Sequence, residues 1–131
     1  MSFSNYAILT PVVHQLEKNP ELTWSIRPPT TKDEIALSRF YTEGRITFMD
    51  GQRFTYPWSN IEIAIRQLAM LFGGTNIPKS EQDASPALTE KASIAEIENF
   101  LGNLPTEVIK ELWAALGQVA PGWGPVAIPK N

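Results

Sequence analysis

Cysteine is missing from all 131 residues, which removes disulfides, thiol nucleophiles and thiolate metal sites together. Histidine occurs once, at His14, so a serine–histidine triad, a two-histidine proton relay or a histidine metal site lacks its parts. His14 therefore reads as a surface or structural residue. No apolar run approaches the roughly 20 residues that a membrane-spanning helix needs, so no membrane association is expected. Positive charge is not in excess either: 11 Lys and Arg stand against 14 Asp and Glu. That balance offers nothing to a phosphate backbone and argues against nucleic acid as a partner. The first residues carry no basic cluster and no small-residue cleavage site, so a secretory signal is not expected and the cytoplasm is the expected compartment.

What is abundant is punctuation. Eleven prolines and eight glycines imply many short elements with firm ends, and a hydrophobic fraction of 43% is that of a globular chain. The length suits a single domain, residues 1–131. The centre is residues 57–74, where Ile61, Ala64, Ile65, Leu68, Ala69 and Phe72 recur at helical spacing, with Ile63 and Leu71 widening the face. Ser59 and Glu62 form a capping box at its start, and Gly73-Gly74 is the expected stop.

Around that helix the chain divides readily. In residues 1–21, Ile8, Val12, Val13 and Leu16 suggest a short helix with Pro11 at its first position. Leu22, Trp24 and Ile26 alternate like a strand, closed by Pro28-Pro29. Thr31 with Glu34 predicts a capped helix running to about Thr42 and ending at Gly44. Residues 45–56 predict a hairpin about Asp50-Gly51, with Met49 opposite Gln52 and Ile46 opposite Thr55, or a bulge that shifts this pairing by one. The hairpin must lean on the 22–26 strand or on the central helix. Residues 22–78 thus form a strand–helix–hairpin–helix core, with a linker or mobile loop over 79–92. A helical hairpin follows over 93–117, its first helix boxed by Ser93 and Glu96 and its second opened by Pro105. An irregular segment, 118–131, ends the sequence; its Trp123 either packs down or serves as a docking peptide. The fold class is α+β: a mainly helical domain with a small antiparallel sheet, residues 22–56, packed on helix 60–72.

Chemistry is sparse in this pattern. Glu34, Glu62 and Glu96 stand at capping positions and Asp50 in a turn, which accounts for them without acid–base catalysis. Gly73-Gly74 and Gly122-x-Gly124 lack the spacing and strand–helix context of phosphate loops. The chain is expected not to be an enzyme and to hold no cofactor or metal. Protein binding is the expected activity, with Leu112, Trp113, Leu116 and Trp123 as apolar anchors. Arg39 and Arg66 would supply charge if the arginines cluster instead of lining a solvated face.

The stretches RPPTTKDEIALSRFYTEGR (27–45) and IAIRQLAMLFGGTNIP (63–78) resemble small tail-assembly chaperones of long-tailed bacteriophages. The likeness is in layout and covers residues 27–117: a strand, Pro-Pro-Thr, a helix, a hairpin, a helix with a glycine turn, a variable loop and a helical C-terminal part. It implies a non-enzymatic protein that binds the tape-measure protein, keeps its apolar helices from aggregating and helps recruit tail-tube subunits in the bacterial host's cytoplasm. It also implies self-association and a longer form made by ribosomal frameshifting. A structural subunit of the particle, in tail or neck, would read much the same, and a small inhibitor or adaptor of a host complex fits the size and acidity.

Overall fold

The computed structural model describes residues 10–49, 51–56 and 58–125. Along the chain run β1 (Val12–Gln15), β2 (Thr23–Ile26), α1 (Thr31–Glu43), β3 (Arg45–Met49), β4 (Gln52–Tyr56), α2 (Asn60–Met70), β5 (Phe72–Thr75), α3 (Ile94–Gly102) and α4 (Thr106–Val119). The architecture is mixed α+β. The expectations placed on Ile8 and Asp50, and on residues 57 and 126–131 of the ranges above, lie outside the described residues.

Three of the four helices among the described residues start at a reciprocal capping box, two of them as expected: Ser59 with Glu62 on α2 and Ser93 with Glu96 on α3. The box of α1 is Thr30 with Asp33, one residue earlier than Thr31 with Glu34. Arg27 explains the shift. Its guanidinium grips both Asp33 oxygens, at 2.7 and 2.9 Å, and so aims the carboxylate at the Thr30 amide, 2.7 Å away. Helix α1 then ends at Gly44, as its sequence predicts.

The sheet differs from expectation. Residues 12–15 form a strand and not a helix: Val12 pairs with Ile26 and Gln15 with Thr23. Two adjacent β-branched valines suit a ladder better than a helical turn, and β2 supplies the partner. Nor do Gly73-Gly74 stop the central helix. Helix α2 ends at Met70, and the glycines lie in β5, which pairs antiparallel with the other edge of β2. Arg27 meets the helix end here too, its Nη2 donating to the Met70 carbonyl and its backbone N–H to that of Leu71 at 2.7 Å. Gly73 lies close against β2: a Cβ there would stand 3.2 Å from the Ser25 carbonyl oxygen, so the strand would have to give slightly.

With β1 and β5 on its two sides, β2 has no edge left for the hairpin. The result is a three-stranded sheet, β1-β2-β5, and a separate two-stranded one, β3-β4. The hairpin register is the unbulged one, Met49 opposite Gln52 through Arg45 opposite Tyr56.

One hydrophobic core joins the three-stranded sheet to the helices. Helix α2 buries Ile63, Ala64, Leu68, Ala69 and Met70, chiefly between α3 and α4, whereas Ile61 remains 39% exposed. Trp24 is fully buried between the rings of Phe72 and Phe100, 5.0 and 6.3 Å away. Trp58 is half-buried, stacked on Phe40 at 4.6 Å with its indole N–H on the Phe40 carbonyl. The 79–92 segment is tethered, in contrast to a linker. The Ala87 amide donates to Ile77 and the Lys79 amide to Ser85, and Leu88 is buried in the core.

Candidate protein-docking groove

The sheet's outer strand and the last helix leave an apolar trough between them. Its walls are Val12 and Val13 from β1, Ile26 from β2, and Ala114, Ala115 and Val119 from α4, enclosing about 430 Å³. The valines are 47% and 58% exposed, at Val12 and Val13, and as neighbours they make one apolar patch. Helix α4 is apolar on two sides, which is why it can face the core and the trough at once. Ile109, Leu112, Trp113 and Leu116 go inward, while Val108, Ala115 and Val119 form a second, half-buried row.

A polar bridge crosses the trough. His14 Nε2 donates to Glu111 Oε2 at 2.5 Å, and the same oxygen accepts the Glu17 amide at 3.0 Å. Beyond the bridge lies a second recess of about 360 Å³, floored by Leu16 and Val108 and rimmed by Glu17, Lys18, Glu107 and Glu111. Lys18 meets Glu107 at 3.4 Å, with both side chains more than four-fifths exposed, so this pair stabilises little.

The residues singled out as anchors lie elsewhere. Leu112, Trp113 and Leu116 are buried, and Trp123 is 1% exposed, so the structure places all four inside the core and offers none of them as surface. Trp113 and the segment around Trp123 converge on Gln67, the one buried polar residue among the described residues. Its Oε1 accepts the Trp113 indole N–H and the Gly124 amide, each at 2.8 Å, and its Nε2 donates to the Tyr41 hydroxyl at 2.7 Å. The Trp123 indole N–H donates to Glu34 at 2.8 Å, so Glu34 anchors this segment and does not cap α1. Arg39 is exposed. Arg66 is engaged, bonded to Glu98 at 2.8 Å and lying 4.7 Å over the Phe40 ring.

Electrostatic perturbation follows the structural contacts and not the trough. Burial would raise the Asp33 carboxyl, but hydrogen bonds from Arg27 and Thr30 outweigh it and hold it below its ordinary value. The Arg27 guanidinium rises in return, through the same bond. Burial pushes the Tyr41 phenol up, against the bond from Gln67. Among the described residues no three His, Asp or Glu side chains gather as a metal site, and no helix is long and apolar enough to cross a membrane.

Sequence reading missed Val12, Val13 and the outer row of α4. The available signal was the Val108, Ala115, Val119 spacing of 7 and 4, a second stripe beside the stronger one. No known protein family, curated protein or solved structure matches the chain.

Proposed function

We propose that this chain is a tail-assembly chaperone of a long-tailed bacteriophage: a non-enzymatic protein that binds the tape-measure protein in the bacterial cytoplasm and shields its apolar helices until the tail is built. The observation that carries the reading is the open trough, where two adjacent valines stand about half exposed over a second apolar row of α4. Such a surface suits an apolar segment of another polypeptide. The layout likeness over residues 27–117 supplies the identity of the partner, and self-association belongs to the same reading.

Co-expression with a tape-measure protein tests it. The expected result is co-elution on size exclusion and a soluble partner that aggregates when made alone. No co-elution, with the partner equally soluble alone, overturns the reading. Mass spectrometry of finished particles separates the alternative, because a chaperone is absent there and a structural subunit is present at a fixed copy number.

A further inference from the structure

We infer that the occupant of the trough is an amphipathic helix of a partner protein whose apolar face ends in a lysine or arginine. The inference rests on the trough being the binding face, and adds the occupant's shape and polarity.

Shape comes first. The two recesses share Glu111 and follow α4 from Glu107 to Val119, 13 residues whose 12 steps span about 18 Å of helix. Val12 and Val13 both line the trough, although neighbouring strand residues point to opposite faces. With the valines on one side and α4 on the other, a rounded body about 10 Å across suits the trough. About three turns of helix fill the length.

Polarity follows from the rim. At the Val119 end the lining is apolar, with Gln118 its polar member. At the other end Glu17, Glu107 and Glu111 surround the recess, against Lys18 alone among full cations. Lys18 is bonded to Glu107. Glu111 spends Oε2 on His14 and Glu17, while Oε1 takes no bond among the described residues. A cation at that end of the occupant finds carboxylates; an anion meets repulsion. The trough thus fixes the direction in which the helix lies.

Synthetic amphipathic helices binding to the full chain test this by fluorescence anisotropy. Two peptides share one apolar face, and one carries a lysine pair at one end where the other carries a glutamate pair. The lysine peptide is expected to bind about tenfold more tightly at low salt, the sum of a few rim contacts. The advantage should vanish near 0.5 M salt, where the screening length falls to roughly 4 Å. It should also vanish in the Glu17→Gln/Glu107→Gln variant, whose changes are exposed. Val13→Asp, at an exposed position, should abolish binding of both with the thermal melt unchanged. Equal affinities that Val13→Asp abolishes would overturn the inferred polarity and leave the trough as a binding face. Binding by neither peptide would overturn the helix occupant, while co-elution with the tape-measure protein would still decide the broader reading.

Discussion

The backbone N–H of Gly124 ends on Gln67 Oε1 at 2.8 Å, although the two residues stand 57 positions apart in sequence. A side chain from the apolar face of α2 thus completes the hydrogen bonding of an irregular segment that no ladder can satisfy. The same amide oxygen serves Trp113, so one residue joins α2, α4 and the chain beyond it.

Replacing Gln67 by Leu would keep the volume and strand three partners, the Trp113 indole, the Gly124 amide and the Tyr41 hydroxyl. Each unpaired buried group costs about 1–3 kcal/mol, and the hydroxyl, less enclosed, is the cheapest of the three. The variant is expected to lose about 2–6 kcal/mol in urea denaturation, chiefly from the indole and the Gly124 amide.

Two glycines of the same segment should respond unequally to alanine. Both have positive φ, 86° at Gly122 and 82° at Gly124. A Cβ on Gly122 would meet nothing within 4 Å, whereas one on Gly124 would stand 2.6 Å from the Gly117 Cα. Gly122→Ala should cost about 1 kcal/mol of backbone strain. Gly124→Ala should add the overlap and cost about 2–4 kcal/mol. Denaturant titration read by tryptophan fluorescence compares them.

Acid sensitivity should trace to Asp33. Its unfolded value is near ~3.9 and its folded value lies lower, so the unfolded chain binds more protons in the window between. Its stabilisation is therefore full above about pH 5 and is lost as pH falls through the folded value. The stability gap between wild type and Asp33→Asn should be widest near neutrality and shrink toward pH 3. Thermal melts across that range measure it, and a constant gap would contradict the assignment.

The box at Ser59 predicts an order of variants. Ser59→Ala should lose about 1 kcal/mol and Ser59→Gly only a few tenths, because glycine favours the cap conformation without the side-chain bond. Ser59→Asp should be nearly neutral. Circular dichroism melts would rank the three.

Much of this fold could be read locally, because the deciding interactions are local. Ser59, Glu62, Ser93 and Glu96 act within four residues of one another, and the hairpin register follows from a two-residue turn. What sequence could not show depended on distant partners. Val12 and Val13 become a strand because β2 lies beside them, and Gly73 looks like a helix stop until Ser25 is found against it. Gln67 reads as a polar interruption of an apolar face, since its partners arrive from residues 41, 113 and 124. The aromatic anchors follow the same logic: Trp113 and Trp123 are large and apolar enough to hold a partner, and their own core takes them. The trough went unseen because the exposure of Val12 and Val13 depends on where β2 and α4 lie.

The bond from Trp123 to Glu34 spans 89 positions, so it can close only after most of the described chain has been made. As the nascent polypeptide leaves the ribosome, the early helices emerge well before the indole that seals them. Until that segment arrives Gln67 Oε1 lacks the Gly124 amide as a donor, and locking waits on a long-range contact, the slow kind of step in folding.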